Sequence, residues 1–428
     1  MKSDRLKDTL SHYSILSSLD PTHNGWGFNV TETTVLGTKL YKGFIRGIKE
    51  SYVHLVQHSD HVSGIIQIKN QQFRLDALDY VENNARQMVL YNPSDLDTKM
   101  PATSCSKHAQ TSPNKMKRLH KRQTTMKSCS MVLLADASFS NHFGKDAQSK
   151  MIEAIDIASG IYQQNFNVKL DAKDVKLLTD LNLAINTASS ITGVLSSLGK
   201  EQSTTIFGAD QTASKYCLSH LFTSKDFGST TGLAYTAKKA LNTIGGICDG
   251  ASAGGSAFNV GVSTTGPRQQ LNMNAWHTTV THEISHNFGA MHDEDTNTCS
   301  GQHGHIMAAV VDGGISQIPT YSQCSINDIR SKIQTAPCLK SVSSQQPSQQ
   351  PSQQPSQQPQ TVSQTSGNSH PDSSCKSDID ATIQRIFADL SSGTLSSADL
   401  NEILKYLPQE SALLSACLSL LNKITPSN

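Results

Sequence analysis

The chain has 428 residues, 36% of them hydrophobic and 17% charged, with a formal net charge of +1. That length allows two or three domains with cores of their own. The near-neutral balance excludes an overall electrostatic pull toward nucleic acid or an acidic membrane surface, and no apolar stretch is long enough to span a bilayer, so no nucleic-acid partner and no membrane span are expected.

Residues 1 to about 100 alternate short β-like runs (GFIRGI, SYVHLVQH, GIIQIKN, FRLDAL) with polar turns, which predicts a small β-rich unit. Residues 101–122 are polar and basic, and they read as an exposed processing linker ending in the dibasic pair Lys121-Arg122. From 123 to 340, strand-like runs such as MVLLAD and LSHLFT alternate with helix-like ones such as KDAQSKMIEAIDIASGIYQQ, giving an α/β domain. Residues 341–371 contain four copies of SQQP, which cannot bury enough surface to offset their ordering entropy and so form a disordered linker. Helical spacing in residues 372–428, as in Ile379, Ile383, Ile386 and Leu390, predicts a small all-α module.

Nine cysteines are widely and irregularly spaced with no C-x-x-C pair, a pattern that favours disulfides and an oxidising compartment. The opening residues lack the continuous apolar run of a signal peptide. Either this start is not the native one, or export uses another route, or the cysteines are reduced; the expectation is a protein secreted or in the secretory pathway, with a missing or misassigned start.

The segment HEISHNFGAMHD, residues 282–293, contains H-E-x-x-H-x-x-G-x-x-H in full. On a helix, His282 and His286 project from one face and can reach a single zinc ion. Val280, Ile284 and Phe288 fall on the opposite face, which anchors the helix in a core. Gly289 can adopt the positive φ that turns the chain sharply and returns His292 as third ligand. Three neutral ligands leave a position for water, and Glu283 is placed to take its proton. Met307, fifteen positions after His292, is the candidate for a methionine turn beneath the ligands.

Residues about 127 to 340 resemble the catalytic domain of the ADAM family, the adamalysin or reprolysin branch of the metzincins. The likeness rests on CSMVLLAD, YCLSHLFTSKDF, GLAY, GGICDG, THEISHNFGAMHD and YSQCS in that order, with Asp293 directly after the third histidine. Within the family the likeness is greatest to the sheddases typified by tumour-necrosis-factor-converting enzyme and Kuzbanian. The resemblance implies a metzincin fold with a twisted mixed sheet and a long zinc-binding helix. It also implies that Gly232, Leu233, Ala234, Tyr235 and Thr236 lie on an edge strand where substrate adds as a further strand.

The same resemblance implies disulfides joining Cys129 to Cys217, Cys248 to Cys338 and Cys299 to Cys324, while Cys375 and Cys417 are expected to close the helical module. Cys105 is left over, upstream of the dibasic pair, where related zymogens hold a thiolate on zinc as a cysteine switch. Its context, ATSCSKH, lacks the glycine that usually follows such a cysteine, so a free or intermolecular thiol stays open as the alternative. Cleavage after Arg122 would remove residues 1–122 as a propeptide whose β unit covers the cleft. Leu119 stands where a furin-type enzyme prefers arginine, which points to a kexin-type processing protease.

No disintegrin-type run of cysteines and no membrane anchor follows the catalytic domain in this sequence. Two function classes remain. One is a zymogen zinc metalloendopeptidase acting on protein or peptide substrates; the other is a binding protein with an inactive or occupied protease domain that acts through its C-terminal helical module.

Overall fold

The computed structural model describes residues 14–16, 28–93 except 49, 70, 83 and 84, 103–104, and 125–342 except 203–205, 207–215, 238–244, 251–254, 267–271, 296–298, 300–303 and 312–317. Cys105, Lys121, Arg122, the SQQP linker, the helical module and its Cys375 and Cys417 lie outside the described residues.

The N-terminal strands β1 (Ser14–Leu16), β2 (Phe28–Val35), β3 (Thr38–Ile45), β4 (Ser51–Gln57), β5 (Val62–Ile68), β6 (Gln71–Glu82) and β7 (Ala85–Tyr91) form one antiparallel sheet in the order β1-β7-β6-β5-β4-β3-β2. Its two faces follow from the period of two along each strand. Tyr41, Val53, Leu55, Phe73 and Leu75 gather into an apolar cluster of the sheet's own. Their alternates include Leu40, His54, Val56 and Arg74, all buried, of which Leu40 and Val56 join the core of the second domain instead. The strand β8 (Thr103–Ser104) follows.

The second domain begins with β9 (Lys127–Asp136), α1 (Ala137–Phe143), α2 (Ala147–Phe166), β10 (Val168–Leu178), the short α3 (Ala184–Thr187) and α4 (Ile191–Glu201). It continues through β11 (Leu218–Thr223), β12 (Gly232–Ala234), β13 (Val260–Thr264), α5 (Met273–Asn287), β14 (Val310–Val311), α6 (Gln323–Thr335) and β15 (Lys340–Ser341). The main sheet runs β10-β9-β11-β13-β12, with β15 beside β9. β9, β10, β11 and β13 are parallel, whereas β12 and β15 pair antiparallel, so the sheet is mixed. β8 pairs antiparallel with β14.

The continuous apolar run in β9 is explained by burial on both faces. Met131, Leu133 and Ala135 enter the core shared with α2 and α5, while Val132 and Leu134 enter a second core with Val194 and Leu198 of α4. Asp136 caps α1 by accepting from the Phe139 amide at 2.9 Å. The helix α5 is fixed from one side by Trp276, which is fully buried and edge-on to Phe222.

Disulfides join Cys129 to Cys217, Cys248 to Cys338 and Cys299 to Cys324. The first ties β9 to the chain entering β11 across 88 residues of sequence. Replacing both Cys129 and Cys217 by alanine is expected to cost roughly 2–5 kcal/mol of stability, because a long loop of the unfolded chain is no longer closed. Denaturant unfolding of the double variant against the parent, both under oxidising conditions, measures that loss; an unchanged midpoint would contradict it.

Candidate metal centre

The helix α5 starts at Asn272, whose side chain accepts from the amides of Asn274 and Ala275 at 3.1 and 3.2 Å. Every residue from Asn274 to Asn287 is buried, so the polar ones need internal partners. Thr278, Thr281 and Ser285 find them by donating their hydroxyls to the carbonyl four residues earlier, at 2.7–2.8 Å. Ser285 also meets the Tyr321 hydroxyl at 2.6 Å and that of Tyr162 at 3.1 Å. The core face of the helix is Val280, Ile284 and Phe288.

The helix stops because Gly289 takes φ +91°. A side chain there would be strained by the dihedral and would also bring a Cβ within 2.8 Å of the Ala237 carbonyl oxygen. The turn returns His292 to the helix. The Nε2 of His286 is then 3.0 Å from that of His282 and 3.2 Å from that of His292.

What each ring does on its far side decides the chemistry of this cluster. His282 Nδ1 lies 2.6 Å from the Ile306 carbonyl oxygen, His286 Nδ1 2.8 Å from that of Ala290, and His292 Nδ1 3.3 Å from Asp295 Oδ2. These oxygens only accept, so each Nδ1 carries the proton and each Nε2 presents its lone pair inward. Burial, reinforced by His292, holds the His282 imidazole down to about 3 and keeps it neutral. Three neutral imidazole lone pairs directed at one point form the donor set of a zinc site with an open position, so the residues fit zinc.

Glu283 follows the first of these histidines and is fully buried. Its carboxylate lies against β12, so close that a methyl group at Gly232 would collide with it. β12 is the edge of the main sheet and covers Gly232, Leu233 and Ala234. Tyr235 and Thr236 lie just past the strand, where the Tyr235 carbonyl accepts from the Asn287 side chain at 2.9 Å and fixes this edge to the end of α5.

Beneath the cluster, Met307 is buried in the main core within a turn closed by the Ala308 amide and the His305 carbonyl at 3.1 Å. The Asp293 amide donates to the Met307 carbonyl at 3.0 Å. The Asp293 carboxylate accepts from the hydroxyls of Ser322, the N-cap of α6, and Ser325, the latter at 2.9 Å. Third ligand, methionine turn and α6 are thereby tied at one buried residue, Asp293, through its amide and its carboxylate. Cys299–Cys324 repeats the tie covalently.

Two supporting groups escape a reading of the motif alone. Asp295 orients the His292 ring, and its signal is a carboxylate three residues after the last histidine. Gly232 leaves room for Glu283, and nothing in the local sequence pairs the two.

Residues 125–332 match the family model described as Metallo-peptidase family M12, of the reprolysin type. A stretch of 131 residues is 34% identical to the "Disintegrin and metalloproteinase domain-containing protein 10 homolog" of Caenorhabditis elegans, covering 27% of this chain and 14% of that protein. These likenesses and the mixed sheet with its histidine-bearing helix support a reprolysin-type metallopeptidase domain over this segment, a family that is zinc-dependent in general. No helix among the described residues is long and apolar enough to cross a membrane.

Replacing His286 by alanine removes one of three donors and is expected to abolish stoichiometric zinc binding. Asp295→Asn keeps the donors but loosens His292, and is expected to weaken zinc affinity about 10–100-fold. Competition against a chromogenic chelator reads both, and parent-like affinity in His286→Ala would remove the cluster from consideration.

Proposed function

We propose that the chain is a zinc-dependent metalloendopeptidase made as a zymogen, which hydrolyses peptide bonds in proteins of the secretory pathway or outside the cell. The observation that carries this is the convergence of His282, His286 and His292 through Nε2, with the Glu283 carboxylate against β12, the last strand of the main sheet among the described residues.

Zinc held by the three imidazoles supplies a Lewis acid that polarises a substrate carbonyl and acidifies water. The remaining chemistry belongs to the chain. An extended substrate adds to β12 through backbone hydrogen bonds, which holds its scissile bond over the cluster. The Glu283 carboxylate takes the proton of the attacking water and hands it to the leaving amine. Full burial of Glu283 and of the ligands excludes competing solvent from all but the cleft side.

Kinship to the sheddases typified by tumour-necrosis-factor-converting enzyme and Kuzbanian belongs to the same proposal, as do cleavage of the propeptide, residues 1–122, from the peptidase domain by a kexin-type protease after Arg122 and a zinc-blocking role for Cys105. Support for latency comes from β8, which pairs Ser104 with Val310 and Thr103 with Val311. That pairing joins the residues immediately before Cys105 to a strand that begins three positions past Met307.

Glu283→Ala is expected to retain zinc and fold while losing roughly 10²-fold or more in turnover of a quenched peptide. Near-normal turnover would take Glu283 out of the mechanism, and a chelator-insensitive or inactive parent would favour a binding protein instead. Full-length chain, chain cut at Lys121-Arg122, and uncut Cys105→Ala are expected to be nearly inactive, active and partly active in that assay. Equal activity of cut and uncut protein would end the zymogen reading.

A further inference from the structure

The polar stripe of α2 and the turn before it, Asp146, Ser149, Lys150, Glu153 and Asp156, would face solvent in an isolated peptidase domain. It is instead covered by the N-terminal sheet. Glu153 is fully buried and accepts from Ser63 Oγ at 2.9 Å, Arg74 Nη2 at 3.3 Å and Lys150 Nζ at 2.9 Å. Arg74 is itself fully buried, spans Asp76 at 2.9 Å, and donates through Nη1 to His277 Nδ1 at 3.3 Å. His277 stands on α5, five residues before His282. The sheet therefore reaches the ligand-bearing helix through one side chain.

Around this centre the contacts continue. His58 bridges Ser149 at 2.6 Å and Ser63 at 2.7 Å. Ser59 donates its amide and hydroxyl to Asp146 at 2.9 and 2.6 Å. Lys42 and His54 both approach Asp156 Oδ2 at 2.6 Å. Leu40 and Val56 sit in the same apolar cluster as Met151, Ile155 and Trp276. By contrast, the only part of 94–124 with described structure, β8, is held to the peptidase domain by two residue pairs.

We propose that the N-terminal sheet is a resident subunit of the peptidase domain: when the chain is cut between 105 and 124, residues 28–93 stay seated on α2 and α5 through the Glu153–Arg74–His277 clamp, and only the β8 segment, still joined to the sheet, is free to come away from β14. This holds whether or not the metal centre is active, since it concerns an interface and not turnover. Separation would strip fully buried charges of their partners on both sides at once, the costly way to break an interface.

The charge pattern gives the interface a pH signature. Facing groups are Lys42, His54, His58, Asp60, His61, Arg74 and Asp76 from the sheet, Lys145, Asp146, Lys150, Glu153 and Asp156 from α2 and its turn, and His277 from α5. Burial pushes His58 and His277 down and, with His58 and Lys150 beside it, holds His61 at about 3. Once exposed, these rings would protonate near pH ~6.5, so the separated fragments bind more protons and seating weakens as pH falls below that value. The carboxylates act in the same direction. Burial raises Glu153, but Lys150, His58, His277 and Arg74 outweigh it and hold it well below the usual range, while His54 and Lys42 bring Asp156 to about 2 against its burial. Their contribution is present above roughly pH 4 and is lost as pH falls through the seated values.

The test is to cut the full chain at Lys121-Arg122 with a kexin-type protease, or at a foreign protease site placed in the same segment, and to run the product by size exclusion with mass detection. Co-elution of both fragments at about pH 7.5, and their separation at about pH 5, is the expected result. Glu153→Gln and Arg74→Met are expected to raise the fragment dissociation constant at least tenfold or so at neutral pH. Where those buried variants fail to fold, the partly exposed pair Lys42→Ala and Asp156→Asn serves as a double-mutant cycle, with non-additive effects on fragment dissociation expected. Separation of the parent fragments at neutral pH would overturn the proposal. Co-elution indifferent to acid and to every variant would overturn the clamp.

Discussion

Three imidazole nitrogens near 3 Å apart, each with its lone pair turned inward, form the constraint on which the rest of the domain depends. Such an arrangement is repulsive by itself, and the protein holds it by engaging the opposite nitrogen of every ring. Two of those partners are backbone carbonyls, Ile306 and Ala290, so the ring orientations are set by the path of the main chain and not by side chains alone. The third, Asp295, adds a negative charge beside a cation site, which raises the basicity of His292 as a donor.

Holding the Ile306 carbonyl in place is the task of the methionine turn. The turn is held in turn by Asp293, which connects to both its backbone and the cap of α6. A buried carboxylate is stable only when its oxygens are satisfied, and the Ser322 and Ser325 hydroxyls accept that task for one of them. The cap of a helix distant in sequence thus becomes part of ligand alignment. Cys299–Cys324 restrains the same two segments, so geometry is protected where the chain between them is long.

The histidine helix, the positive φ of Gly289 and the strand at MVLLAD were legible because local spacing dictates them. The β-rich character of the N-terminal runs was legible for the same reason. Period alone could not show that the alternate face of β3, β4 and β6 is a second interface, because Lys42, His54 and Arg74 read as a solvated face. Nor could it show that Ser149, Lys150, Glu153 and Asp156 of α2 are covered, since a polar stripe at helical spacing is the ordinary mark of solvent. Each stripe hides the other, and only the fold pairs them. Gly232 illustrates a different limit, in which a glycine is required by a carboxylate some fifty positions away.

Among the described residues, the N-terminal part of the chain meets the peptidase domain through contacts of very different extent. A two-residue antiparallel pairing such as β8 with β14 is marginal by itself. The sheet interface combines an apolar patch with the buried pair Arg74 and Glu153, which bond each other across it, and it does not depend on chain continuity. The β8 pairing bears on Val310, three positions after Met307, whereas the sheet bears on α2 and α5. The two contacts thus act on different parts of the domain, and it is the sheet, through Arg74, that keeps His277 and Glu153 buried and so supports the ligand-bearing helix from behind.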